Sequence, residues 1–202
     1  MTIKNSLKYI VLFISLLFCQ IDCYSNPSLK DSLKRIKFQT KSSIIQNTSP
    51  ENVFAYMDKI GNTGAHMEKR SMAMMGSKLK LTQLSENAVG LNSKYLWKGR
   101  TMGFKMDFTV LTTKWEKDKE KVWETIGKSK MIILDWYQMR FVISQDGEKT
   151  KADLSIKYTK PRTFFFRSIG FFLAKPYAKW CLKNMLNDTK KHFEELNKSN
   201  PN

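Results

Sequence analysis

Hydrophobic positions along this chain change period twice. From Ile36 to Ile45 apolar and polar side chains alternate as on a strand. Ser49-Pro50-Glu51 then opens a helix. Ser49 can cap the free N–H groups, Pro50 suits the first helical position, and Glu51 favours the positive end of the dipole. Val53, Phe54 and Met57 share one face, Gly61-Asn62 closes the element, and a one-turn helix can follow before His66. From Met67 to Tyr158 the period becomes two: Tyr95 and Trp97, then Phe104, Met106, Phe108 and Val110, then Tyr137, Met139, Phe141 and Ile143, then Ala152, Leu154, Ile156 and Tyr158. Successive side chains on a strand point to opposite faces, so each set predicts one buried face. Gly99 to Gly103 brackets one turn and Asp146-Gly147 makes another. The charged run from Lys114 to Lys121 reads as a solvated hairpin tip.

Pro161 ends the last strand, and the remainder is predicted helical to about Asn197. Its first part, Phe164 to Leu173, is apolar nearly all round, so it must be buried or touch lipid. Pro176 lacks the N–H that would bond the carbonyl of Phe172, which predicts a kink or break. Ala178, Cys181, Leu182, Met185, Phe193 and Leu196 then recur at helical spacing, an amphipathic helix lying on a sheet. Strand, helical interruption, antiparallel meander and long helix give an α+β helix-grip architecture, with a curved sheet of about six or seven strands wrapped round the C-terminal helix. A strongly curved sheet and one helix do not fill all the space between them, which leaves an apolar cavity.

The first residues follow a different logic. Lys4 and Lys8 precede the eleven apolar positions Tyr9 to Cys19, and Gln20, Asp22 and Asn26 turn polar. That order is a secretory signal peptide. Crossing a bilayer as a helix takes about 20 residues, so an anchor through residues 9–21 is the second reading. Cys23 and Ser25 put small residues before a cut at Asn26, whereas bulky Phe18 argues against a lipidated Cys19. The expected organisation is a signal peptide at 1–25, a linker at 26–33 and one ligand-binding domain at 34–198, in an exported, periplasmic or secreted protein.

Composition narrows the chemistry. The 202 residues carry 35 Lys and Arg against 18 Asp and Glu, a net charge of +17. This could serve phosphate backbones, but the basic residues are interleaved with acids from Lys4 to Lys198, and no helix-turn-helix, finger or glycine-rich aromatic signature accompanies them. Anionic lipid headgroups fit a dispersed lysine surface at least as well. Of three cysteines only Cys181 stays after removal of the leader, so no internal disulfide forms. With His66 and His192 as the only histidines and neither HExxH nor CxxC, a structural metal site is not expected, and both histidines read as polar surface or loop residues. GxSxG and the phosphate-binding glycine loop are also missing. No cofactor is implied.

Several local matches point to a family. Ser49-Pro50-Glu51-Asn52-Val53-Phe54, Trp123-Glu124-Thr125, Tyr137-Gln138-Met139-Arg140-Phe141 and the Ile156 to Pro161 exit into the long helix resemble the SRPBCC superfamily, the START-like group that includes polyketide cyclase/dehydrase and lipid-transport proteins. The chain is also similar to a bacterial subgroup carrying Met74-Met75-Gly76-Ser77-Lys78, Trp97-Lys98-Gly99-Arg100 and Tyr177-Ala178-Lys179-Trp180-Cys181. The resemblance spans about residues 34 to 197 and implies an apolar small molecule enclosed between sheet and helix. The candidate ligand contacts are Tyr95, Trp97, Phe104, Met106, Phe108, Trp123, Tyr137, Met139, Phe141 and Tyr158, with Tyr177 and Trp180 from the helix motif. Met72, Met74, Met75 and Met106 add adaptable walls. Each of these is equally at home in a plain core.

Three functions compete. A lipid or isoprenoid carrier would use Phe164, Phe165, Phe166, Arg167, Phe171 and Phe172 as a membrane-contacting lid, flanked by Lys160, Arg162, Lys175 and Lys179. A cyclase or dehydratase needs an acid/base group within reach of substrate, but the predicted inward faces offer only tyrosines; Asp107, Glu124 and Arg140 fall on the opposite parity. No catalytic residue is therefore assigned, and an inward carboxylate or histidine beside a pocket tyrosine would favour the enzyme. A basic interaction module is the third reading.

Overall fold

A computed structural model describes residues 38–68, 78–101, 103–161 and 164–199, all inside a unit spanning 37–202. The predicted leader and linker, and Met72, Met74 and Met75, lie outside the described residues.

The chain runs β1 (Phe38–Gln46), α1 (Pro50–Asp58), α2 (Ile60–Thr63), α3 (Ala65–Glu68), β2 (Lys78–Gln83), β3 (Lys94–Thr101), β4 (Phe104–Glu116), β5 (Glu120–Lys130), β6 (Trp136–Asp146), β7 (Lys149–Thr159) and α4 (Phe164–Ser199). Six strands from β2 to β7 form a meander, and β1 returns to pair with β7, giving one seven-stranded sheet in the order β1-β7-β6-β5-β4-β3-β2. Every neighbouring pair is antiparallel. The sheet curves, and α4 packs along β1 and β7 and against α2 and α3.

Local chemistry sets the boundaries. Ser49 Oγ accepts from the Asn52 N–H and Pro50 occupies the first turn of α1. Gly147, at φ +62°, supplies the left-handed residue of the β6–β7 hairpin. Gly99 serves a different need. A Cβ there would lie 2.1 Å from the Lys78 carbonyl oxygen, so its bare backbone lets β2 close against β3.

Five expectations need correction. The first helix ends at Asp58, and Gly61 and Asn62 fall inside α2. Pro176 does not break α4, which continues as one 36-residue helix; its packed neighbours outweigh one missing hydrogen bond. Leu196 is 44% exposed, because the sheet ends before the last turns of α4. Phe104 is also 44% exposed. It opens β4 at the rim, where its ring meets Phe166 edge-on. The Lys114–Lys121 run is not wholly a solvated tip. The β4–β5 register shifts between Thr112 and Lys114, and that extra residue inverts the parity of β4, so Trp115 turns inward beside Lys121, which shares the inward parity of Trp123 and Thr125 on β5.

The inverted end of β4 and the start of β5 together build a buried polar cluster. Lys121 Nζ donates to Asp58 Oδ1 at 2.6 Å and to the Asp58 carbonyl at 2.5 Å, while Trp115 Nε1 donates to Asp58 Oδ2 at 2.9 Å. The Lys121 side chain is fully buried, and desolvation lowers its pKa despite the neighbouring carboxylate. The cluster ties the end of α1 to the far end of the sheet.

Candidate functional site

A cavity lies between the sheet, α2–α3, the β5–β6 loop and the middle of α4. Trp97 of β3, Met106 and Phe108 of β4, Trp123 of β5, and Tyr137 and Met139 of β6 enter it because each occupies an inward position of its strand. Tyr177, Cys181 and Met185 reach it from consecutive turns of α4. The free space between atoms is about 740 Å³ with the open mouth included, and water centres can occupy about 70 Å³ of it. The smaller figure counts only positions that the centre of a water molecule can take. It exceeds by several-fold the roughly 10–15 Å³ needed for one water, so a small guest fits without wall movement and a longer one must displace side chains. Five methionines, Met67, Met106, Met131, Met139 and Met185, supply walls that can yield.

The candidate contacts divide accordingly. Trp97, Met106, Phe108, Trp123, Tyr137, Met139 and Tyr177 line the cavity. Tyr95, Phe141 and Tyr158 are buried in the surrounding core without reaching it. Trp180 stands one layer back, stacked on Tyr177 and edge-on to His66. Phe104 lies outside, as described above. On α4, Phe171 and Phe172 are 65% and 73% exposed, while Phe166 is partly buried against the core. Arg167 is exposed, and the side chains of Phe164 and Phe165 lie outside the described residues. Lys160 Nζ sits over both the Phe38 and the Phe171 rings, at 4.5 and 4.4 Å from their centroids.

Strand periodicity missed the contribution of the helices and a loop. Ile60, Thr63, Gly64, His66 and Met67 close one wall, and Met131 to Leu134 another. The apolar run Met131-Ile132-Ile133-Leu134 was a readable signal, since four such residues in a loop must be covered. Gly64 was not readable. A Cβ there would come within 2.6 Å of the Trp97 indole, so glycine admits that ring into the wall.

His66 corrects its reading as a surface residue. It is 7% exposed, lines the cavity, and has no hydrogen-bond partner on either ring nitrogen. Removal from water favours the neutral ring and lowers its pKa from 6.5 to about 4. The Thr63 backbone opposes this weakly without reaching hydrogen-bond geometry. The α3 turn fixes the imidazole, because Met67 N–H bonds the Gly64 carbonyl at 2.8 Å. On the α4 side, burial raises the Tyr137 and Tyr177 hydroxyls and pushes the Cys181 thiol up to about 12, even though Tyr177 hydrogen-bonds its sulfur. All four groups are therefore neutral at pH 7.

No Asp, Glu, Lys or Arg lines the cavity among the described residues. The acids and base of opposite parity are engaged outside: Asp107 with Lys98, Glu124 with Gln138, and Arg140 with Glu120. Nor does any group of His, Cys, Asp and Glu among the described residues have the arrangement to hold a metal ion.

No protein-family model and no curated protein matches this sequence. Solved structures do match in shape. The Zhui aromatase/cyclase of a Streptomyces species superposes with a TM-score of 0.61 at 10% identity, covering 82% of this chain and 98% of its own. Norcoclaurine synthase from Thalictrum flavum, in complex with dopamine and hydroxybenzaldehyde, gives 0.57 at 13% identity, over 81% of this chain and 90% of its own. A Thermus thermophilus protein gives 0.56 at 15%, over 79% and 99%. The chain thus has the helix-grip fold of START-like proteins, the architecture that its resemblance to the SRPBCC superfamily implies.

Proposed function

We propose that this protein binds an apolar small molecule, a lipid or isoprenoid-like compound, in the cavity between sheet and α4, and carries it in an exported compartment. One observation supports this above the others: a cavity whose described walls are mostly aliphatic, aromatic and methionine side chains, with a few neutral polar groups and no formal charge. Similar folds in solved structures include one in complex with small aromatic molecules. The leader-like N-terminus motivates export. The exposed Phe171 and Phe172 beside Lys160 and Lys175 motivate a membrane surface as the place of loading, since apolar side chains flanked by cations suit an anionic interface.

Native mass spectrometry of the purified mature protein, followed by organic extraction, tests the binding reading. An apolar molecule released on denaturation is expected. Protein that carries none, and that takes up neither fatty alcohols nor polycyclic aromatics, defeats it. Co-sedimentation with vesicles containing phosphatidylglycerol tests the membrane step, and Phe171→Asp with Phe172→Asp should lower the bound fraction several-fold. Equal sedimentation of both proteins removes α4 from that role.

His66 gives the cyclase or dehydratase reading its one specific support, a neutral imidazole in a largely apolar pocket that also holds Tyr137 and Tyr177. Conversion of an extracted ligand to a product of different mass by the wild-type protein, and not by His66→Phe, would favour it over carriage.

A further inference from the structure

Every buried polar group should find a partner, so a buried imidazole without one calls for a physical account. His66 is such a group, and it sits in the wall of the cavity, among whose described lining residues none carries a formal charge. Its neutral ring carries one N–H donor and one lone-pair acceptor. Among the other polar groups of the wall, Tyr177 and Cys181 hydrogen-bond each other and the Thr63 hydroxyl donates to the Ile60 carbonyl at 3.4 Å; the buried Thr101 hydroxyl, like His66, has no partner, but it offers one oxygen where the imidazole offers a donor and an acceptor on separate ring atoms. Trp180 covers the ring edge-on at 5.3 Å and offers it no acceptor in the ring plane.

We propose that His66 is the polar anchor of the cavity, its imidazole hydrogen-bonding one uncharged oxygen, a hydroxyl or a carbonyl, on an otherwise apolar guest. This rests on the binding reading given above and narrows it. A carboxylate or phosphate head is disfavoured, because no Lys or Arg among the described residues lines the wall to balance its charge, and a desolvated anion without a partner costs far more than a neutral oxygen. A pure hydrocarbon would leave both ring nitrogens unpaired. The guest is then an amphiphile with a weak polar end, seated with that end towards α3 and its apolar body towards the β4 to β6 methionines and aromatics.

Three isosteric probes separate these cases at pH 7: 2-naphthol, 2-methylnaphthalene and 2-naphthoate, titrated calorimetrically into the full chain and into His66→Phe. Wild-type protein should bind 2-naphthol about tenfold more tightly than 2-methylnaphthalene, the size of one buried hydrogen bond, and 2-naphthoate most weakly. His66→Phe should erase the preference for 2-naphthol while retaining 2-methylnaphthalene. A second measurement does not depend on that variant folding: the imidazole ¹⁵N resonances of His66 in wild-type protein should move with 2-naphthol and stay in place with 2-methylnaphthalene. If 2-methylnaphthalene binds but the hydroxyl brings neither an affinity gain nor an imidazole shift, the anchor is refuted and the cavity stands. If 2-naphthoate binds best, the charge argument is wrong and the anchor is refuted as stated. If no probe binds, the cavity reading itself falls, and the anchor with it.

Discussion

At the residue scale, two buried polar side chains carry opposite consequences. His66 is held neutral, with its folded pKa near 4 against 6.5 in the unfolded chain. Between those values the unfolded state takes up a proton that the folded state refuses, so stability falls as pH drops through that window and the loss saturates below about 4. A depression of this size corresponds to roughly 3 kcal/mol when fully expressed. Urea denaturation of wild type and His66→Phe at pH 7.5 and 4.5 should show a smaller acid-induced loss in the variant; identical losses would mean that the ring is already hydrated when folded. Lys121 is buried with Asp58, whose carboxylate opposes the desolvation that lowers the lysine pKa. Replacing Lys121 with Met leaves the carboxylate without its cation and should cost about 3–5 kcal/mol. Adding Asp58→Asn should recover part of that, because the neutral amide no longer needs a counter-charge. Failure of the double variant to regain stability would place the cost in packing.

At the element scale, the β2–β3 edge depends on one missing side chain. In Gly99→Ala the new Cβ meets backbone atoms, the Lys78 carbonyl and the Leu79 Cα, neither of which can swing aside. We expect destabilisation in the upper part of the usual single-mutant range, above about 2 kcal/mol, with amide exchange in β2 and β3 accelerated before that in β6 and β7. Uniform exchange across the sheet would show that the edge does not open on its own. The β4–β5 bulge works at the same scale. One extra residue exchanges the inward set of β4, which is how Trp115 comes to face the core, next to an inward Lys121 of β5, from a stretch whose composition reads as surface.

At the scale of the whole molecule, the cavity exists because the side chains of a curved sheet and one helix do not fill all the space between them. Met185 occupies the α4 side and Met139 the sheet side. Met139→Trp should occupy the space that a guest needs, lowering affinity for apolar probes at least tenfold while changing thermal stability little, because added bulk enters a void in place of a close-packed region. A large fall in melting temperature with affinity retained would show that the space collapses around the new ring.

The sequence by itself determined the elements and their order. Period-two alternation marked the strands, Ser49-Pro50 the start of α1, Asp146-Gly147 the hairpin and Pro161 the end of β7, because these depend on backbone chemistry confined to a few neighbouring residues. It also marked the apolar inward sets, including most of those that reach the cavity. Tertiary structure alone decided which members of a set touch empty space and which touch one another. Trp97 and Tyr95 share a strand face, yet only Trp97 finds the gap opened by Gly64. It decided that His66 is inside, since burial of a four-residue helix depends on what α4 and β2 lay over it and not on its own pattern. Periodicity is a local signal, whereas a void is the difference between surfaces brought together from distant parts of the chain.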